Sequence, residues 1–257
     1  MRREPYAGRT PRGVSLPAWI ARYARVSPPA GAYLAARCMG FPGLPALERL
    51  LPRAGRILDL GCGYGLLPVL CADRSPEREV AGIDLLGTRV AVGREVLRRH
   101  GGPGNVRLTA GDLAKLPDGE FDAICLAHVL LYRPLHEQRA VLARCRERLA
   151  PGGLLLLAET VGEPAWKARL ARVQERIVVG AKVRLCRWQT WRAIAPAGVH
   201  LWDPAALRDF LGELGLRVRS RPFSGWSYLS HHLFIAQAEG ATSARAASGP
   251  VSLRLAR

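Results

Sequence analysis

The chain has 257 residues, enough for one good core or a core with an elaborated cap. Hydrophobic residues make up 49%, which marks a globular protein, and no apolar run approaches the ~20 residues needed to span a bilayer. Basic residues number 38 against 21 acidic ones, a formal net charge of +17 that fits an anionic partner such as a membrane surface, a nucleic acid or an acidic substrate.

Only Lys115, Lys167 and Lys182 are lysine; so heavy an arginine bias fits a GC-rich genome as well as a function. The six cysteines (Cys38, Cys62, Cys71, Cys125, Cys145, Cys186) form no C-x-x-C pair and do not cluster with histidine, which argues against zinc. Several sit in apolar segments, as reduced thiols do, and point to a cytoplasmic, reducing compartment. The arginines of the N-terminus lack the apolar stretch of a signal peptide, and its prolines argue against a transit helix.

Residues 1–52 are rich in Pro, Gly and Arg, with two short helical pieces, SLPAWIARYARV and GAYLAARCMG, interrupted by Pro28 and Pro29. From Arg56 the pattern becomes regular. RILDLG is a buried strand ending in glycine, and LLPVLCADR a helix leaving it. Glu79–Asp84 is a second strand ending in an acid, followed by the helix TRVAVGREVLRRH. Val106–Asp112 and Phe121–Val129 are the third and fourth strands. The helix HEQRAVLARCRERLA stops at Pro151-Gly152-Gly153, and Gly153–Thr160 is a fifth strand, apolar on both faces. Alternation of strand and helix predicts a parallel sheet covered on both sides. A basic, Trp-bearing insert over 161–202 breaks the rhythm. Asp203 then caps a last helix, two strands close the domain, and residues 239–257 read as a disordered tail.

The turn Asp59-x-Gly61-x-Gly63-x-Gly65 places backbone N–H groups at a helix N-terminus, where a ligand can approach closely. Its spacing differs from the G-x-G-x-x-G of pyrophosphate-binding folds. Asp84, closing the second strand, suits a ribose diol. Gly111-Asp112 puts another carboxylate at the same sheet edge, and Leu149-Ala150-Pro151-Gly152-Gly153 introduces strand five.

This ordered set resembles the class I S-adenosylmethionine-dependent methyltransferases, especially the small-molecule branch that includes quinone-biosynthesis enzymes. The resemblance covers Arg53–Thr160 well and Asp203–Ala238 loosely. It implies an α/β fold: a Rossmann-like, seven-stranded, mostly parallel sheet with helices on both faces, an N-terminal helical cap (1–52), a methyltransferase domain (53–238) and a substrate lid insert (161–202) after strand five. It also implies roles. Asp59, Gly61, Cys62, Gly63 and Gly65 would border the methionine part of S-adenosyl-L-methionine, with Asp59 holding its ammonium. Asp84 and Leu85 would receive the ribose. Gly111, Asp112 and Leu113 would sit by the adenine, and Ala127 and His128 by the methionine portion and the mouth of the acceptor pocket. No metal is implied.

Methyl transfer is an in-line displacement from an activated leaving group, so alignment and exclusion of water dominate, and a general base helps an O–H or acidic C–H acceptor. His128 and His200 are the candidate bases. His231 and His232 are adjacent on a strand and point to opposite faces. In the insert, Trp166, Leu170, Val173 and Ile177 share helical spacing beside a stripe of Arg169, Arg172 and Arg176. The simpler reading is a lid helix with its apolar face on the core. The other is an interfacial helix, helped by Trp188 and Trp191, that reaches lipid-like acceptors on an anionic membrane. RNA is the competing acceptor. Against it, LAHVLLYRP lacks the Asn/Asp-Pro-Pro-Tyr signature, and no Pro-Cys pair marks a cytosine nucleophile. A non-catalytic binding module is the remaining alternative, and the three intact acids argue against it.

Overall fold

The computed structural model describes residues 14–40, 43–170, 172–173, 199–223 and 230–240. Three helices open the described chain: α1 (Leu16–Val26), α2 (Pro28–Gly40) and α3 (Leu44–Leu50). An alternating region follows: β1 (Gly55–Leu60), α4 (Leu66–Arg74), β2 (Arg78–Asp84), α5 (Gly87–His100), β3 (Val106–Ala110), β4 (Phe121–Ala127), a 3-10 turn (Leu130–Tyr132), α6 (Leu135–Glu147) and β5 (Leu149–Thr160). After the insert come α7 (Pro204–Glu213), β6 (Leu216–Pro222) and β7 (His231–Ala238).

The seven strands form one sheet in the order β3-β2-β1-β4-β5-β7-β6. Strands β1 to β5 are mutually parallel, and β7 runs antiparallel between β5 and β6. The alternating segments thus build the mostly parallel sheet that their pattern predicts. One sheet face buries Leu156, Ala158 and Leu233 against Trp19 and Tyr23 of α1, Leu34 of α2, Leu47 of α3 and most of α4. The other buries Leu155, Leu157 and Phe234 against Val141, Leu142 and Cys145 of α6 and Leu207 and Leu211 of α7. The strand order reverses between β1 and β4, and a ligand crevice is expected outside the carboxyl ends of the strands there.

Local chemistry explains where the elements begin. The Ser15 hydroxyl caps α1 by accepting from Ala18 N–H, and Asp203 caps α7 by accepting from Ala206 N–H at 2.9 Å. Three expectations need correction, and one helix goes unannounced. Pro28 and Pro29 open α2 instead of interrupting it, because the first helical turn has no use for their missing N–H groups. The short helix α3 carries no pattern long enough to announce itself. Helix α6 ends at Glu147, and Pro151-Gly152-Gly153 lies inside β5, since burial of Leu149 and Ala150 draws the chain into the sheet early, across a register shift at Phe121/Ala123. Strand β3 ends at Ala110, which leaves Gly111 and Asp112 in the following turn.

The helical stretch after Pro164 is also turned differently from the core-facing lid. Trp166, Leu170 and Val173 are 61%, 42% and 53% exposed, while Ala168 is buried. The small residue takes the contact and the large apolar ones face out. Ile177, Trp188, Trp191, Arg176 and most of the tail lie outside the described residues.

Candidate active site

The chain leaves β1 through three left-handed glycines, Gly61, Gly63 and Gly65 (φ +76°, +58° and +81°). A Cβ on Gly61 would lie 2.3 Å from a Val129 methyl, so the turn can press against the end of β4 only without a side chain. At Gly63 a Cβ would meet nothing nearer than Arg89 Nη1 at 4.0 Å; glycine is needed there for the backbone conformation. The N–H groups of Gly61 and Cys62 donate to the Ile83 carbonyl at 2.7 and 2.9 Å, and Tyr23 of α1 donates its hydroxyl to the Tyr64 carbonyl at 2.8 Å. The turn is therefore held from both sides before any ligand arrives.

A cavity of about 310 Å³ lies over this turn, within the size range of small-molecule sites. Its lining includes Asp59, Gly61, Cys62, Gly63, Asp84, Leu85, Leu113, Ala127 and His128. Asp84 accepts from Gly63 N–H through one carboxylate oxygen and from Leu86 N–H through the other, both at 2.8 Å. Asp59 is buried, and among the described residues no hydrogen bond or ion pair reaches its carboxylate. Burial pushes it up to about 7; neighbouring Asp84 adds to that shift and Arg37 opposes it. A cation placed beside Asp59 would restore its ordinary acidity.

Several expected residues border the cavity without lining it, or have other partners. Gly65 is the N-cap of α4 and packs against Leu108. Gly111 and Asp112 are outside the cavity lining; Asp112 accepts from Ala114 N–H at 3.0 Å and pairs with Arg133 at 2.7 Å. That amide and the guanidinium hold Asp112 below the usual carboxylate range. His200 is also outside the lining, with its N–H on the Leu131 carbonyl and its own carbonyl accepting from Gln138 Nε2.

The cavity also gathers residues that no motif marks: Tyr33 and Arg37 of α2, Arg89 of α5, and Arg133 and Glu137 near the start of α6. Arg89 is buried over the rings of Tyr33 and Tyr64, 4.9 and 5.4 Å from their centroids. Arg37 donates to the Ala127 carbonyl at 3.1 Å, and among the described residues no carboxylate pairs with it.

His128 has a positive φ of 57°, a conformation rare for a residue with a Cβ. Its ring is buried, and burial, with Arg37 and His231 adding to it, holds the imidazole well below its usual value and therefore neutral. Behind it, Glu159 accepts from the N–H groups of Val129 and Leu130 at 3.0 and 3.1 Å, which fixes the turn that carries His128.

A glycine turn, two strand-end acids and a parallel sheet with an antiparallel seventh strand define a Rossmann-like methyltransferase fold. Residues 57–153 match the methyltransferase domain family. The chain is 33% identical over 175 residues to the ubiquinone biosynthesis O-methyltransferase of Xanthomonas axonopodis pv. citri, covering 66% of each protein. It is 33% identical over 128 residues to the carboxy-S-adenosyl-L-methionine synthase of Chromohalobacter salexigens, covering 49% of this chain and 47% of that one. Among solved structures, the magnesium protoporphyrin IX methyltransferase ChlM of Synechocystis PCC 6803, with bound S-adenosylhomocysteine, superposes with a TM-score of 0.58 at 18% identity, over 85% of this chain and 94% of that one. The chain belongs to the class I S-adenosylmethionine-dependent methyltransferases.

The residues present fit that cofactor. It carries an ammonium, a carboxylate and a ribose diol, and the cavity offers an uncompensated buried acid, an arginine without a carboxylate and an acid already oriented by two amides.

Proposed function

We propose that this protein transfers a methyl group from S-adenosyl-L-methionine to an ionisable hydroxyl of a small-molecule acceptor. The observation that carries the reading is the buried, unpartnered Asp59 beside the oriented Asp84, because two acids at the glycine turn suit an ammonium and a ribose diol better than a phosphate, and Arg37, one of three arginines in the lining, is left for a carboxylate. Asp59 holds the ammonium, Arg37 the carboxylate and Asp84 the ribose hydroxyls. Leu113 and Leu85 supply apolar walls. The cofactor, when bound, supplies the activated methyl group. The protein excludes water and orients the acceptor. The Nε2 of His128 is enclosed and does not reach the cavity. Similarity to the Xanthomonas ubiquinone biosynthesis O-methyltransferase supports an acidic oxygen as the acceptor atom. The test is transfer of labelled methyl to catechols and hydroquinones. Incorporation into at least one class, lost on Asp84→Ala, is expected; incorporation into RNA alone contradicts the reading.

Asp59 also sets a pH dependence. Its folded value is raised, so below about 7 the carboxyl is protonated and offers no charge to an ammonium. Affinity for S-adenosylhomocysteine is expected to rise roughly tenfold per pH unit from about pH 5 to about pH 7 and then to level off. Calorimetry across that range checks this, and Asp59→Asn should flatten the profile.

The exposed Trp166, Leu170 and Val173 beside Lys167, Arg169 and Arg172 support a second element of the reading, attachment to an anionic membrane that presents lipid-like acceptors. Among the described residues no helix is long and apolar enough to cross a bilayer, so attachment would be peripheral. Vesicles containing phosphatidylglycerol should retain the protein at low salt and release it at about 1 M salt, where the screening length falls to about 3 Å. Absence of retention contradicts this element.

A further inference from the structure

We propose that Arg133 is a positioning residue for the base of the bound nucleoside: it holds one oxygen of Asp112, leaves the other open to a ligand, and so selects a base with an exocyclic amine over one with a carbonyl in its place. The inference rests on the reading of the cavity as a cofactor site, with the ribose on Asp84 and the base running on between Leu85 and Leu113. It adds the residue that sets the preference at the far end of that base.

Arg133 follows the 3-10 turn and lines the cavity, with its side chain 21% exposed. Its Nη2 donates to Asp112 Oδ1 at 2.7 Å and its Nη1 to Glu137 Oε2 at 3.1 Å. The guanidinium is thus stretched between a carboxylate just beyond β3 and one in the first turn of α6. The backbone beneath it is fixed as well. Arg133 N–H donates to the Leu130 carbonyl at 2.8 Å, and the Arg133 carbonyl accepts from Gln138 Nε2 at 2.7 Å. Gln138 is buried and accepts in turn from Trp202 Nε1 at 2.7 Å.

Asp112 receives both of its bonds on one oxygen, since Ala114 N–H and Arg133 Nη2 each donate to Oδ1. Among the described residues no hydrogen bond or ion pair reaches Oδ2. The direction of these bonds is set by chemistry: a guanidinium only donates, and an ionised carboxylate only accepts. Leu113, next in the chain, is buried in the cavity wall, so Asp112 stands at the border where the base ends. A ligand can engage Oδ2 without breaking the pair on Oδ1, which argues against that pair as a placeholder the ligand must displace. An acceptor-only oxygen suits the amine of adenine, whereas a purine with a carbonyl there sets lone pairs against it. The side chains of Asp112 and Glu137 are 42% and 44% exposed, and ion pairs so open to solvent add little to stability. The same exposure limits the selectivity to about ten- to a hundredfold, below what a sealed polar site reaches.

Calorimetry with S-adenosylhomocysteine and S-inosylhomocysteine on the same samples reads the preference as a ratio, from which a general loss of stability cancels. The native protein is expected to favour the adenosyl ligand by about tenfold or more, and Arg133→Met to lose most of that preference. Arg133→Lys should keep part of it, because a point charge can still pair with Asp112 without the fork that also reaches Glu137. Asp112→Asn should lose the preference too, and adding Arg133→Met to it should change the ratio no further, since both act through Oδ2. A native ratio near one, the native ratio preserved in Arg133→Met, or tighter binding of S-adenosylhomocysteine by Arg133→Met overturns the proposal. A native protein that binds neither ligand removes the reading of the cavity, whereas equal binding of both removes only this inference.

Discussion

Replacing Asp84 with alanine is expected to weaken S-adenosylhomocysteine binding at least a hundredfold. The carboxylate accepts from Gly63 N–H and Leu86 N–H and so ties the glycine turn to the end of β2, and its remaining lone pairs face the cavity. Hydrogen bonds to a charged acceptor contribute roughly 1.5–3 kcal/mol each, so losing two ribose contacts alone exceeds two decades in affinity. The turn loses its anchor as well, which adds to the effect. Asp84→Asn should be intermediate, because an amide oxygen can still accept one N–H while its NH2 faces the other. Calorimetric titration alongside thermal unfolding separates lost binding from lost fold. A variant that stays folded and binds as the native protein does would remove Asp84 from the site.

The largest stability effect is expected at Arg78. Its guanidinium is buried under α3 and donates to the Glu48 carboxylate at 2.6 Å and to the backbone carbonyls of Glu48, Leu51, Pro52 and Cys71. This one side chain ties the helical cap to β2 and α4. In Arg78→Ala, Glu48 stays buried, with only Arg74 to answer it, and four carbonyls lose their donor. Breaking such a pair from one side costs about 3–5 kcal/mol, a large share of the ~5–15 kcal/mol that holds a domain folded. Urea unfolding should show a midpoint lowered accordingly. The paired variant Glu48→Leu with Arg78→Met removes the buried carboxylate and leaves Arg74, a third exposed, free to turn to solvent, so it should recover the part of the loss that comes from the stranded charge. The cavity depends on this anchor, since α2 and α3 supply Tyr33, Arg37 and Leu44 to its wall. Cofactor affinity should therefore fall in Arg78→Ala and return in the paired variant.

The parts of the molecule that follow from local chemistry were legible in the chain itself. Gly61 and Gly63 are glycine because the turn demands positive φ and a bare approach to Val129, and Asp59 and Asp84 are acids at the tips of two buried strands. These signals are short-range and survive without knowledge of the fold. Arg37 and Tyr33 carry no such signal. They reach the cavity only because α2 packs across the sheet, and nothing in their spacing says so. Asp112 shows what spacing leaves out: β3 ends two residues before it, and its carboxylate is engaged by Ala114 N–H and by Arg133, which itself lines the cavity. Helical spacing correctly groups Trp166, Leu170 and Val173 on one side, yet spacing alone does not say which side faces the core.

The most direct measurement is a crystal structure of the protein soaked with S-adenosylhomocysteine. Density for the ligand in the cavity, with its sugar hydroxyls on Asp84, its amino group on Asp59 and its terminal carboxylate on Arg37, is the result this account predicts. A ligand bound elsewhere, or one lying in the cavity with those three side chains turned away from it, would contradict it.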